Sequence, residues 1–164
     1  MLVSEIFQTV EKAKTVEEKK QILLNNGNNH AMMFMLCLSY DPNINWMLPE
    51  GAPPYKKEVD RPIGYQQTTI QNELRRFYIW GNPDTNLPKA KKEALFIEML
   101  EGLHFSESEI VLAAKDKKLD SLYKSVTEDL VRLAFPNLLP PPVEKPKGVK
   151  KSATKKSSAS VEAQ

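Results

Sequence analysis

Apolar residues recur along this chain at helical spacing, interrupted by capping residues, glycines and prolines. Ile6, Phe7, Val10 and Ala13 share one stripe over residues 4–14. Thr15-Val-Glu-Glu18 reads as a capping box opening a second helix, which ends near Gly27 and turns Val16, Ile22, Leu23 and Leu24 inward. The Asn25-Asn-Gly-Asn-Asn29 run then supplies C-cap and N-cap chemistry, so the first helices form a short αα-hairpin. Residues 29–40 are apolar nearly all round, the pattern of a helix enclosed by its neighbours at the centre of a core. Further on, Thr68 or Thr69 caps a helix whose Ile70, Leu74, Phe77 and Tyr78 share a face, with Glu73, Arg75 and Arg76 elsewhere and Gly81 as the stop. Residues 82–87 read as a turn, and Pro88 starts a helix with a broad apolar side of Leu95, Phe96, Met99, Leu100 and Leu103. Ser106-Glu-Ser-Glu109 is a second capping-box pattern, leading into Ile110, Val111, Ala113 and Ala114. The last helix, 127–135, buries Leu130, Val131 and Leu133 and ends at Pro136. No stretch alternates with period two and no fixed repeat is present, so the expectation is an all-α bundle of about six or seven short helices.

Residues 41–55 break this pattern. Pro42, Pro49, Pro53 and Pro54 exclude a regular ladder, while Trp46, Met47, Leu48 and Tyr55 bring apolar area foreign to a floppy linker. The segment reads as a built loop with two uses. Trp46, Leu48 and Tyr55 could close one end of the core. Alternatively, Trp46, Leu48, Pro53, Pro54 and Tyr55 form a partner-binding groove with Lys56 and Lys57 at its rim.

Charge refines the division of the chain. From 138 to 164, six lysines (Lys145, Lys147, Lys150, Lys151, Lys155, Lys156) stand against Glu144 and Glu162, a formal +4; with +2 for the whole chain, the preceding residues carry −2. The expected organisation is a helical domain over 1–138 and a disordered Lys/Pro/Ser/Ala-rich tail over 139–164, with Pro140 to Pro142 as a stiff exit. Non-specific nucleic-acid affinity is expected from tail residues Lys147, Lys150, Lys151, Lys155 and Lys156. Lys89, Lys91 and Lys92 are a second candidate, because they crowd a helix start where the dipole is already positive and a phosphate or acidic group would relieve them. Lys115, Lys117 and Lys118 read as ordinary cations at a helix C-terminus. The single cysteine, Cys37, lies in an apolar run, and neither a basic leader nor a membrane-length segment is present, so a soluble protein of a reducing cytoplasm is expected.

Chemistry-bearing patterns are sparse. His30 and His104 have no metal-ligand spacing with each other or with Cys37, and they read as a helix-start residue and a turn residue. Phosphate-cradling glycine loops and nucleophile elbows are absent from the sequence. Among the helical carboxylates Glu73, Glu93, Glu98 and Glu101, only Glu101 and His104 have a Glu-x-x-His step, in one copy and at a helix end. A helix-turn-helix reader is disfavoured because Glu107 and Glu109, and likewise Glu128 and Asp129, would aim carboxylates at phosphates. No catalytic, cofactor or metal residue is therefore assigned.

The motifs Asp41-Pro-Asn, Trp46-Met-Leu-Pro-Glu-Gly-Ala-Pro-Pro-Tyr55, Glu73-Leu-Arg-Arg-Phe, Lys92-Glu-Ala-Leu-Phe-Ile-Glu-Met-Leu-Glu, Lys115-Asp-Lys-Lys and Ala134-Phe-Pro-Asn-Leu resemble a family of small uncharacterised proteins of T4-like tailed bacteriophages. The resemblance spans most of residues 1–138 and implies a phage origin and expression in the host cytoplasm; it carries no catalytic residues over. The expected function is a non-enzymatic accessory protein that binds a phage or host component of replication, transcription or assembly, with no membrane and no cofactor. The alternatives are a virion or assembly component, or a small helical enzyme if Glu73, Arg76 and an acid of the 88–103 helix meet in one cleft.

Overall fold

In the computed structural model, which describes residues 2–82 and 85–141, helix α1 (Val3–Lys12) buries Val3, Ile6, Phe7 and Val10 along the stripe that the spacing predicts. Thr15 and Glu18 form the expected capping box of α2 (Val16–Asn25), with Glu18 N donating to Thr15 Oγ1 at 3.2 Å and Thr15 N to Glu18 Oε2 at 3.3 Å. Its buried side is narrower than expected, because Leu23 is buried while Val16 and Leu24 are exposed. Asn29 Oδ1 caps α3 (His30–Tyr40) by accepting from Met32 N at 3.0 Å. Ala31, Met32, Met35, Leu36 and Leu38 place α3 in the core, packed on α7 (Phe105–Lys115).

The helix expected over 68–81 is broken into α4 (Ile70–Glu73), a 3-10 turn (Leu74–Arg76) and α5 (Tyr78–Gly81). The break changes which side chains face inward: Phe77, Ile79 and Trp80 are buried, whereas Tyr78, expected on the apolar face, is 63% exposed. Glu73, expected outside, is buried at the break, accepting from Thr68 Oγ1 at 2.8 Å and pairing with Arg76 at 3.1 Å.

Helix α6 (Lys89–Gly102) follows Pro88 and buries Phe96, Met99 and Leu100. Helix α7 is capped by His104, not by Ser106 as the Ser-x-x-Glu pattern suggested. Tertiary bonds explain the difference. Ser106 Oγ is engaged by His104 Nδ1 at 2.7 Å and donates to Ser4 Oγ of α1 at 2.9 Å, so it is held inside the fold instead of turning back on its own helix. A short α8 (Leu119–Leu122), not anticipated, leads to α9 (Glu128–Ala134), where Thr127 accepts from Leu130 N at 3.2 Å. Leu133, expected inside, is 54% exposed; Leu130, Val131 and Ala134 form the buried face, and α9 packs on α2. Leu139, assigned by composition to the tail, belongs to the core at 5% exposure, and Arg132 Nη1 donates to Pro140 O at 2.7 Å. The described residues are thus all-α without strands.

Candidate functional site

The loop over 41–55 is tied down along its length by groups far away in sequence. Trp46 is its plug. At 7% exposure, its ring packs on Phe77, Trp80 and Phe96 at centroid distances of 5.1, 5.3 and 6.1 Å, and Met47 N donates to Trp80 O at 2.9 Å. Trp46 is therefore a core residue and is withdrawn from the partner-binding set. Leu48 and Tyr55 are half-buried against the same core, and burial raises the Tyr55 hydroxyl pKa above the ordinary tyrosine value.

The other anchors come from the last turn of α7 and the residues just beyond it. Lys117 has a left-handed backbone, φ 58°, which directs its ammonium to Leu38 O, Asp41 O and Ile44 O at 2.7, 2.9 and 2.7 Å. That side chain gathers the end of α3 and the start of the loop on one cation. Lys115 Nζ donates to Pro49 O at 2.8 Å and pairs with Asp116 at 2.6 Å, while the other Asp116 oxygen accepts from Gly51 N at 3.0 Å. Gly51 has φ +91°, a backbone region costly for other residues. Lys118 pairs with Glu50, and Lys56 N donates to Glu101 Oε1 at 3.0 Å. Lysines that looked like generic helix-end cations are the loop's braces. Only the unusual density of four charged residues, Lys115-Asp-Lys-Lys118, could have signalled this in the sequence.

So braced, the loop leaves a depression against α6. Leu48, Pro49, Pro53 and Pro54 form one side and Phe96 and Ile97 the other, around about 330 Å³, with Glu50 and Glu93 also in the lining. Leu48, Pro53 and Pro54 of the expected docking set are brought together here; Tyr55 is not in the lining. A second depression of about 560 Å³ shares Leu48 and Pro49 with the first and is completed by Met47, Thr85, Leu87, Lys89 and Lys92. Lys89 and Lys91 are exposed, but Lys92 is 8% exposed, so the three lysines do not make one open cationic face. The tail lysines Lys147, Lys150, Lys151, Lys155 and Lys156 lie outside the described residues.

The other candidate groups serve the scaffold. Glu101 takes the Lys56 amide, whereas the His104 ring bonds Ser106 Oγ and, through Nε2, Arg61 O at 3.0 Å, so the Glu-x-x-His pair is divided between different partners. Both Glu73 oxygens are engaged, by Thr68 and Arg76. Among the described residues, no three His, Cys, Asp or Glu side chains converge as a metal site, and no helix is long and apolar enough to cross a membrane.

A family model matches residues 6–121, which include the whole loop, α6 and α7. The chain belongs to DUF6433, a family of unknown function. The DUF6433 match ends within α8, so the groove and its braces lie inside the family region, while α9 and the basic tail lie beyond it. Comparison with curated proteins found no match.

Proposed function

We propose that this protein is a non-enzymatic docking module, an accessory protein of a tailed phage that binds a protein component of replication, transcription or assembly in the host cytoplasm. The observation that carries this reading is the groove between the loop and α6. Its walls are mostly proline, aliphatic and aromatic side chains, with Glu50 and Glu93 also in the lining, and it is held open by five separate attachments from Lys115, Asp116, Lys117, Lys118 and Glu101. A pre-organised apolar groove spares a partner much of the ordering cost of association. A single aliphatic or aromatic anchor beside Ile97 is the contact it fits best. The lysine-rich tail adds a salt-sensitive, sequence-independent attraction to nucleic acid that tethers the module near its target.

Replacing Ile97, half-buried on the groove wall, by Glu tests this directly. The variant is expected to lose about 1 kcal/mol of stability or less. Affinity capture of the tagged full chain from infected cells, after nuclease treatment, should recover a protein partner that the Ile97→Glu chain fails to recover. Partners that all vanish with nuclease, or that ignore Ile97→Glu, would refute the docking reading.

A further inference from the structure

Away from the loop, the starts of α1, α3, α4 and α7 enclose a cavity of about 240 Å³, several times the roughly 30 Å³ that one water occupies. Leu2, Val3 and Ala31 give it an aliphatic side, Asn29, Thr69 and Gln71 a polar one, and Glu107 of α7 completes the lining. Helix starts ordinarily suit an anion. Here their amides are answered from within. Asn29 Oδ1 accepts from Met32 N at 3.0 Å, Gln71 Oε1 from Ala31 N at 3.1 Å, Thr69 Oγ1 from Asn72 N at 3.2 Å, and Glu107 Oε2 from Ile70 N at 3.3 Å. What the lining has to spare is an acceptor. Glu107 is 1% exposed, and its Oε1 is buried with no hydrogen-bond donor among the described residues. A buried carboxylate oxygen in that position is unfavourable until a donor, best a cationic one, reaches it. The charges around it do not answer it: burial raises the Glu107 pKa most, the Glu5 carboxylate on α1 adds to the rise, and the opposing effect of the chain's amino terminus is the smallest of those acting.

We propose that this cavity is a binding site for a primary ammonium group carried on a short aliphatic stem. The ammonium donates to Glu107 Oε1, and the stem lies against Leu2, Val3 and Ala31. The residues that line this cavity differ from those of both depressions beside the loop, so the inference stands apart from the docking reading. An ammonium fits better than a guanidinium, because Ile70 N already holds Oε2 and a single oxygen suits a point donor, not a two-pronged fork. A neutral hydroxyl or amide would bond the oxygen but leave the buried charge uncompensated. The same ammonium chemistry comes from a free small amine or from the side chain of a lysine.

The test is an amide NMR titration of the full ¹⁵N-labelled chain at pH 8 with butylammonium chloride, beside butanol and sodium chloride. Butylammonium should shift the Ile70 and Ala31 resonances saturably. Butanol should bind about tenfold more weakly, and sodium chloride at equal ionic strength should not reproduce the shifts. Glu107→Gln keeps an oxygen for Ile70 N and removes the negative charge, so it should fold natively and weaken butylammonium binding about tenfold or more. Stability gives a second readout: butylammonium should raise the urea midpoint of the parent chain and leave that of Glu107→Gln unmoved. The proposal is overturned if butylammonium gives no saturable shift, if butanol titrates like it, if salt alone reproduces the shifts, or if Glu107→Gln binds it unchanged. Nα-acetyl-lysine amide, titrated in the same way, separates the sources. Binding tighter than that of butylammonium assigns the site to a lysine side chain of a partner segment, and weaker binding assigns it to a free small amine.

Discussion

Glu107, in the first turn of α7, is 1% exposed; Oε2 accepts from Ile70 N at 3.3 Å, and Oε1 accepts nothing among the described residues. Burial pushes its pKa up to about 7; the Ile70 N–H opposes the shift and the Glu5 carboxylate on α1 adds to it. The folded carboxyl therefore keeps its proton at pH values where the unfolded one has lost it. For such a raised acid, stability is full below the ordinary carboxylate range, declines as pH rises toward 7, and is level above that. Glu107→Gln keeps an oxygen for Ile70 N and removes the ionisation. It should be about 1–3 kcal/mol more stable than the parent at pH 8 and nearly equal to it at pH 4, read from urea midpoints at the two values. An advantage that does not change with pH would show that this group does not titrate between the two states. The sequence places an acid at a helix start, an ordinary dipole-compensating position. What it lacks is the approach of α1 and α4, which takes that acid out of water.

Element starts governed by neighbours in sequence were legible. Thr15, Asn29 and Thr69 cap where the sequence offers them, because the acceptor and the amide it meets are three residues apart. His104 was not, because Ser4 of α1 holds the Ser106 hydroxyl from far away in the sequence, and neither was the break at residues 74–76, which leaves Phe77, Ile79 and Trp80 buried and Tyr78 exposed. The loop shows both cases. Its composition marks it as built, and core closure by Trp46 was one of its two readings; the braces span 65 to 79 residues, and the charged run Lys115-Asp-Lys-Lys118 is their one trace in the sequence. Core closure thus falls to Trp46, and the proposed docking groove to other residues of the same loop. Trp46→Ala should cost about 3–5 kcal/mol, the range for removing a large ring from a packed core. Chemical unfolding of this variant beside Ile97→Glu checks the division: a large loss for the first and a small one for the second. A loss below about 1 kcal/mol for Trp46→Ala would mean that the ring does not hold the loop to the core.

At the scale of the molecule, composition locates the basic segment but places its junction with the helical body too early. Prolines from residue 140 onward suggested that packing ends at 138, yet Leu139 reaches the core and Pro140 O holds Arg132, which also pairs with Glu128 at 2.8 Å. Helix α9 has seven residues, too few to be stable without tertiary support, so these contacts and its face on α2 keep it in place. A chain ending at Asn137 loses the burial of Leu139, worth about 1.5–3 kcal/mol, and leaves Arg132 without its carbonyl. A chain ending at Pro141 keeps both contacts. The Asn137 chain should therefore melt well below the full-length protein, and the Pro141 chain within about 0.5 kcal/mol of it. Nucleic-acid retention should instead fall in both truncated chains, because both lack the lysines from 145 onward, and in the full-length protein it should decline steeply with salt. Equal stability of the two truncated chains would mean that Leu139 contributes nothing to holding α9. Undiminished nucleic-acid retention in the Pro141 chain would move that affinity from the tail to the helical body.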